Sequence, residues 1–191
     1  ISFSSSKMLP KSDWTGWTQY VNLFTSDRWT TALVNVGLFG LFFIAGALII
    51  GFLLAVFIDQ KVRLEGVFRT IYLYSFAISF VACGVVWQWM FNPQLGIQHS
   101  LRAWGWDNAR FDWITTQDMA IYCVVIAGIW QSAGFAMALF LAGLRGIDDS
   151  IIKAAQFDGA SLPLIYWRII LPILRPVVFS TILVLSHLSI K

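Results

Sequence analysis

The sequence predicts an all-α, polytopic bundle of transmembrane helices. Hydrophobic residues make up 58% of the 191 residues and charged residues only 12%, whereas roughly a quarter of the residues in a typical soluble domain are charged. The few charges are clustered, so several long stretches carry none. Because a helix needs only about 20 apolar residues to cross a bilayer, a membrane is the simplest solvent for this chain.

The charge-free stretches predict four spans. The first lies between Trp29 and Asp59, with no charged residue between them, and the turn at Asn92-Pro93 ends the second. The fourth starts at Pro176 and runs to the last residue. We therefore expect an external segment, residues 1–30, and a transmembrane domain, residues 31–191, with spans over about 31–58, 70–91, 119–144 and 176–191.

The distribution of Lys and Arg predicts the orientation. The loops 59–69 and 145–175 hold seven of them in 42 residues, whereas residues 1–28 and the loop 92–118 hold five in 55. The positive-inside rule places the two richer loops in the cytoplasm and the N-terminal segment outside. Because the sequence opens without a leader and the last span reaches its end, we expect the intact protein to extend beyond both ends.

Composition and motifs disfavour several classes of function. The net charge is +3, but the basic residues lie in short loops and form no basic stripe, so we expect no nucleic-acid partner. Cys83 and Cys123 lie inside apolar runs without the spacing of metal ligands, which predicts no metal or redox site. No GxxxxGK motif followed by Ser or Thr occurs, so any ATP must be hydrolysed by another subunit.

The composition of the predicted spans also indicates which class of solute the protein would carry. The first three contain no Asp, Glu, Lys or Arg, although such residues form the relays of ion-coupled transporters. A neutral polar solute would instead be met by amides, hydroxyls and aromatic faces. Trp130, Gln131 and Ser132, near the middle of the third span, are the candidates for a pathway, and ordinary helix packing is the alternative explanation for them.

A membrane-embedded protease is the alternative from another class of function. It would need a serine nucleophile and a histidine base on facing helices. His187 is the only histidine near a span, and its neighbour Ser186 is rotated by about 100° on the same helix. No Gly-x-Ser-x-Gly elbow occurs, so the sequence favours a transporter that is not an enzyme.

Residues 143–176 predict two helices joined by a turn along a membrane face. Asp148 and Asp149 favour a helix N-terminus, Asp158-Gly159 is a turn signal, and Ser161 with Pro163 begins the second helix. Pro172 and Pro176 are expected to interrupt the chain before the fourth span. One apolar side of the first helix is predicted to consist of Ile151, Ile152, Ala155 and Phe157.

At these residues the sequence resembles the binding-protein-dependent carbohydrate importer permeases of the ABC class. Their signature is a cytoplasmic loop with Glu-Ala-Ala, three residues, Gly and a distal Pro. Here Lys153-Ala154-Ala155, Gly159 and Pro172 match in order and spacing. The resemblance covers most of the chain, since Phe68-Arg69-Thr70, Arg145-Gly146-Ile147 and the run from Trp87 to Pro93 also look like that family.

The resemblance implies the fold of a type I ABC importer permease in the bacterial inner membrane. It also implies a coupling loop, residues 145–175, that docks on a dimer of ATPase subunits, which bind the ATP and Mg²⁺; this chain holds no cofactor of its own. Further implied partners are a second permease subunit and a periplasmic sugar-binding protein. The coupling residues carried over are Lys153, Ala154, Ala155, Asp158, Gly159, Ala160 and Pro172.

One position departs from the family pattern, and it bears on the docking chemistry. Lys153 stands where the family usually has an acidic residue, which reverses the charge offered to the ATPase and puts in doubt any salt bridge carried over there. Through the runs 130–135, 151–155 and 185–188 the chain most resembles glucose and mannose permeases. Importers of disaccharides or of glycerol phosphate are the alternatives.

The external segments are rich in tryptophan. Two explanations stay open for these residues, docking of the binding protein and anchoring at the membrane interface. They are Trp14, Trp17, Trp29, Trp104, Trp106 and Trp113.

Overall fold

The predicted all-α class is confirmed by the structure, a computed structural model that describes residues 16–60, 63–108, 110–111, 113–116 and 119–190. Across those residues the chain forms helices and turns and no strand. Trp14 and the rest of residues 1–15 lie outside the described part. The helices are α1 (Thr18–Phe24), α2 (Asp27–Asp59), α3 (Glu65–Ala77), α4 (Phe80–Met90), α5 (Ile97–Ala103), α6 (Ala120–Arg145), α7 (Asp149–Phe157), α8 (Leu162–Ile165), α9 (Leu171–Ile173) and α10 (Arg175–Ile190).

The chain divides into two compact units, Ile1–Leu38 and Phe39–Lys191. In the first unit the aromatic residues pack in pairs. The rings of Trp17 and Tyr20 lie 5.5 Å apart, and those of Phe24 and Trp29 meet edge to face at 5.4 Å. The first pair lies at the start of the short helix α1, and the second pair connects the end of α1 to the start of α2.

Helix α6 forms the centre of the second unit. Helices α3, α4 and α10 contact it, and α2 approaches it through small residues. The main core cluster contains side chains from α2, α6, α7 and the segment before α10, including Ile58, Met137, Phe140, Ile165 and Leu174. Because charged residues are absent from this cluster, the packing is apolar from the middle of α6 to its C-terminal end.

Small residues let α2 and α6 approach closely. Ala47 and Ala55 on α2 are fully buried, and a Cβ added at Gly51 would lie 2.6 Å from the Cβ of Ala136. Close backbone approach of this kind is how transmembrane helices gain packing energy. Ala142 near the end of α6 and Gly146 just after it are exposed, whereas Ala47, Gly51 and Ala55 on α2 are all buried.

Helices α2 and α6 have the length and hydropathy of membrane spans. They begin and end within four residues of the predicted spans 31–58 and 119–144. The stretch 70–91, predicted as one span, is instead two helices, α3 and α4, with a bend of 101° between them. Such a pair is either a broken span or a re-entrant loop. The break falls at Ile78 and Ser79, whose backbones are extended with ψ near 139° and 137°.

The stretch before the fourth predicted span is also bent. The helical run Leu162–Ile173 and helix α10 meet at an angle of 69°, with Leu174 between them. Pro176 has no N–H to donate and its ring displaces the carbonyl four residues earlier, which is a standard cause of a helix break. Helix α10 therefore begins at Arg175, one residue before the predicted start of the span at Pro176.

Candidate functional site

The first helix of the candidate coupling loop, α7, is capped at its N-terminus by Asp148. The Asp148 carboxylate accepts a hydrogen bond of 2.8 Å from the backbone N–H of Ser150. This bond stabilises the charged carboxylate and lowers the pKa of Asp148 below its ordinary value. The cap satisfies one of the free N–H groups of the first turn, which confirms the predicted helix start.

The C-terminus of α7 is closed by a Schellman motif built on Gly159. Gly159 has φ of +78°, its N–H donates to the carbonyl of Gln156, and the N–H of Ala160 donates to the carbonyl of Ala155, both at 3.0 Å. This pattern of paired bonds around a left-handed residue defines the motif. It satisfies carbonyls that the helix would otherwise leave free, and it turns the chain sharply toward α8.

Only part of the predicted apolar side of α7 faces the core. Ala155 is buried, and Ile152 and Ala160 pack against the main core cluster. In contrast, Ile151 is 42% exposed and Phe157 is 91% exposed, so the prediction for these two side chains is wrong. Helix α7 ends at Phe157, and its ring is exposed although Ala160, just after the turn, packs against the core again.

The remaining predicted coupling residues lie on the accessible side of the loop or beyond it. Lys153, Ala154 and Asp158 are exposed and share the surface of α7 with Phe157. Pro172 is exposed as well, but it lies in α9 and not beside the turn. The residues from 153 to 160 therefore surround one helix end, whereas Pro172 belongs to a different helix.

A polar contact that the sequence analysis missed joins the loop to α2. The side-chain amide of Gln60, just after α2, donates to the hydroxyl of Tyr166 over 3.1 Å. A cavity of about 310 Å³ opens beside this bond and is lined also by Asp59, Lys153 and Gln156. Because Gln60 and Tyr166 are 106 residues apart in the sequence, no local pattern indicates that they meet.

An ion pair lies at the end of α6. The guanidinium of Arg145 is bonded to the carboxylate of Glu65 at the start of α3. The two side chains are 46% and 30% exposed. Water and salt therefore screen this attraction, so the pair aligns two helix ends without contributing much to stability.

A double-mutant cycle on this pair is expected to return a coupling energy below about 1 kcal/mol. Arg145→Gln, Glu65→Gln and the double variant would be compared by thermal unfolding of the full-length protein. The coupling should shrink further at high ionic strength, since salt screens exposed charges. A coupling energy above about 2 kcal/mol would show that the pair is shielded from solvent and that this account is wrong.

The three residues predicted for the solute pathway do not share one cavity. Trp130 is 43% exposed and lines a cavity of about 450 Å³ with Trp87 and Tyr72. The rings of Trp130 and Trp87 meet edge to face at 5.9 Å. Gln131 and Ser132 are only 3% and 4% exposed and do not line it.

The side chain of Gln131 instead forms a hydrogen bond to the backbone at the break between α3 and α4. Its side-chain amide nitrogen donates to the backbone carbonyl of Ile78 over 2.8 Å, and this carbonyl has lost its helical partner because the backbone is extended there. The hydroxyl of Ser75, one turn earlier, bonds the carbonyl of Tyr72 at 2.7 Å and approaches the carbonyl of Trp130 at 3.4 Å. Two buried polar side chains thus fasten the broken pair to the middle of α6.

Gln131→Leu is expected to destabilise the protein by about 1–2 kcal/mol, because it leaves the Ile78 carbonyl buried without a donor. The apparent unfolding temperature of the full-length protein in detergent should fall by several degrees. The matched control is Gln88→Leu on α4, which makes the same change at an exposed position and should leave that temperature within about a degree. An equal change in unfolding temperature in the two variants would contradict the proposed role of the amide.

The comparisons with known proteins agree on one family. A family profile described as "Binding-protein-dependent transport system inner membrane component" matches residues 47–191, which includes every helix from α3 to α10. The match therefore contains both the broken pair and the candidate coupling loop.

Curated relatives support the same family. The chain is 38% identical to a probable ABC transporter permease protein of Pyrococcus horikoshii, covering 100% of this chain and 66% of the relative. It is 34% identical to a xylose/arabinose import permease protein of Haloferax volcanii, covering 90% and 54%. It is 27% identical to an sn-glycerol-3-phosphate transport system permease protein of Yersinia enterocolitica, covering 91% and 58%. The chain thus spans between half and two thirds of the length of these relatives.

Two solved structures share the fold. A bacterial ABC transporter involved in the import of the acidic polysaccharide alginate superposes with a TM-score of 0.80 at 23% identity, covering 92% of this chain and 62% of that one. A bacterial alginate ABC transporter in complex with an alginate pentasaccharide-bound periplasmic protein gives a TM-score of 0.74 at 25% identity, covering 85% and 57%. The helix arrangement described above is therefore that of an ABC importer permease.

Proposed function

We propose, because this chain belongs to the family of binding-protein-dependent transport system inner membrane components, that the whole protein is the permease subunit of an ATP-driven sugar importer. The observation that carries the proposal is the geometry of α7. A capped helix ends in a Schellman turn and presents Lys153, Ala154, Phe157 and Asp158 to solvent, while Ala155 ties it to the core. This is the form that a docking helix requires.

The proposed partner of α7 is one ATPase subunit of a dimer, which would bind ATP and Mg²⁺. Phe157 supplies an apolar ring that is 91% exposed, and Lys153 and Asp158 supply charges of opposite sign on the same helix end. Since Lys153 replaces the usual acidic residue, we propose that its ammonium group pairs with an acidic side chain of the ATPase or stays in water. The backbone shape of the turn does not depend on that choice.

Movement of the ATPase would pass from α7 into the bundle by two routes. One is the apolar contact of Ile152, Ala155 and Ala160 with the main core cluster. The other is the hydrogen bond between Gln60 and Tyr166, which reaches the cytoplasmic end of α2. Both routes lead toward α6, where Trp130 lines the apolar cavity beside Trp87, and alternating access would change the packing around that helix.

The proposed substrate is a neutral sugar, with glucose and mannose as the first candidates. The stretches 31–58, 70–91 and 119–144 carry no Asp, Glu, Lys or Arg, and a phosphorylated solute would favour Arg or Lys along its path. Glycerol phosphate is therefore the less favoured alternative, although one relative is named for it. The relative named for xylose and arabinose adds pentoses to the candidates, and disaccharides remain among them.

The proposed assembly also contains a second permease subunit and an external sugar-binding protein. One solved structure with this fold is an alginate ABC transporter in complex with a periplasmic protein that carries the sugar. By analogy, we propose that the binding protein delivers sugar to the outer face of this subunit in the cytoplasmic membrane. A second permease, identical or not, would complete the pathway.

The experiment is ATP-dependent uptake by proteoliposomes that contain the full-length protein, its ATPase, the partner permease and the binding protein. Labelled glucose, mannose, xylose, arabinose, maltose and glycerol 3-phosphate would be compared, with liposomes that lack ATP as the control. Uptake of any of the sugars only with ATP inside would support the importer. If an assembled, ATPase-active complex takes up none of the sugars, sugar import is contradicted, and uptake of glycerol 3-phosphate alone would select that alternative.

A further inference from the structure

The segment between the turn at Gly159 and the first residue of α10 exposes an aromatic ring and two arginines. Trp167 is 73% exposed and Leu164 is 40% exposed, and Arg168 and Arg175 are exposed. We name these four residues the Trp-Arg face. The opposite side of the same segment is at most 2% exposed and consists of Ile165, Ile170 and Leu174.

A π turn determines which side chains of this segment are buried and which are exposed. Residues Tyr166–Ile170 form the turn, in which the hydrogen bonds run from residue i to i+5. In an α-helix, side chains five residues apart would be rotated by about 140° from each other. The wider turn brings Ile165 and Ile170 to the same side, where both are buried, and it leaves Trp167 and Arg168 together on the outside.

The charge of the Trp-Arg face is not balanced within the described part of the chain. Over those residues the structure pairs neither Arg168 nor Arg175 with a carboxylate. The planar guanidinium group binds phosphate through parallel hydrogen bonds, and tryptophan rings concentrate at the level of lipid headgroups. An anionic phospholipid supplies both the phosphate and the interfacial environment.

The Trp-Arg face is continuous with an apolar surface on α10. Helix α10 starts at Arg175 after the 69° bend, and its side chains Phe179 and Leu183 are 66% and 71% exposed. Apolar side chains in this position suit the hydrocarbon of a bilayer. If α10 crosses the bilayer from Arg175 onward, the arginines stand at its entry, at the depth of the phosphate groups.

We propose that the Trp-Arg face binds anionic phospholipid headgroups of the cytoplasmic leaflet. The proposal rests on the cytoplasmic placement of the coupling loop under the proposed function. Arg168 and Arg175 contact phosphate, and Trp167 and Leu164 enter the interface beside them. The contact anchors the end of the coupling loop that leads into α10, while α7 at the other end stays available to the ATPase.

The test measures lipid retained by the full-length importer complex in nanodiscs of phosphatidylethanolamine and phosphatidylglycerol, by native mass spectrometry. Arg168→Gln and Arg175→Gln are each expected to reduce bound phosphatidylglycerol about fivefold, the usual effect of one basic residue at an anionic surface. Arg110→Gln, which removes an exposed arginine in the loop before α6, is the control and should change nothing. Trp167→Ala should also reduce retention, whereas Trp167→Tyr, which keeps an interfacial ring, should preserve most of it.

Two results of the lipid measurement would overturn the proposal. If both arginine variants keep the wild-type amount of phosphatidylglycerol, the face does not bind the lipid. If instead they release the ATPase subunit or the second permease and keep the lipid, the face is a protein interface.

The cytoplasmic placement of the candidate coupling loop is tested separately with Phe157→Cys in a background without other cysteines. Labelling by an impermeant maleimide only from the cytoplasmic side supports the proposal, and labelling from outside refutes it. None of these readouts uses sugar uptake, so a failure of sugar import would leave them unchanged.

Discussion

Gly159→Pro is expected to reduce ATP-driven sugar uptake more than tenfold. Proline fixes φ near −65°, whereas Gly159 has φ of +78°. Proline also lacks the N–H that Gly159 donates to the carbonyl of Gln156. Both changes open the Schellman turn, so the exposed end of α7 loses the shape proposed for docking. Uptake into proteoliposomes and the amount of copurified ATPase subunit would be measured together.

The matched control for Gly159→Pro is Gly159→Asn. Asparagine adopts the left-handed conformation more readily than other residues, keeps the N–H, and its Cβ would meet nothing within 4 Å. We expect Gly159→Asn to keep at least a third of the wild-type uptake. If Gly159→Pro transports within twofold of the wild type in an assembled complex, α7 does not couple the ATPase to transport.

Gly134→Ala is expected to destabilise the bundle by about 3 kcal/mol, the upper part of the range for overpacking a core. A Cβ at Gly134 would lie 1.9 Å from the carbonyl oxygen of Tyr72 and 2.5 Å from its carbonyl carbon. These are backbone atoms of α3, so no side chain can rotate to make room, and α3 must move away from α6. The clash outweighs the gain of about 1 kcal/mol in helix propensity.

Thermal unfolding of the full-length protein, followed with a thiol-reactive dye, would measure this loss. Cys83 and Cys123 are buried free thiols that become reactive as the bundle opens. An apparent midpoint about 10 °C below the wild type is expected. The control is Gly66→Ala on α3, where a Cβ meets nothing within 4 Å and the midpoint should not fall. An unchanged midpoint in Gly134→Ala would contradict the close approach of α3 to α6.

The candidate coupling loop shows how far local sequence can predict structure. The cap at Asp148 and the turn at Gly159 were both predicted, because a short acidic side chain before a helix and a glycine after it act on neighbouring backbone groups. The prediction failed for Phe157, whose ring is exposed. Helical periodicity shows which side of α7 that residue lies on, but only the packed structure shows that the core does not reach it.

The broken pair α3 and α4 shows the opposite case. Hydropathy over 70–91 predicts one span because no charge, proline or turn signal interrupts it at Ile78. Gln131, 53 residues later, donates to the freed carbonyl and so stabilises the break. Gln131 was singled out as a candidate for the solute pathway because an amide in an apolar span can meet the hydroxyls of a neutral solute, with ordinary helix packing as the alternative. The sequence could not show that the amide of Gln131 bonds a backbone carbonyl and not a solute.

What the sequence by itself determined is the membrane class, the helical content, the family and the position of the candidate coupling loop. The first two depend on composition and on charge-free length, and the last two on short motifs that resemble those of the family, such as Ala154-Ala155 with Gly159 and Pro172. The tertiary structure alone decided where the second predicted span breaks, which of Trp130, Gln131 and Ser132 faces a cavity, and how Gln60 meets Tyr166. Each of these depends on side chains brought together from distant parts of the chain, where a donor and an acceptor find each other only after the helices have packed.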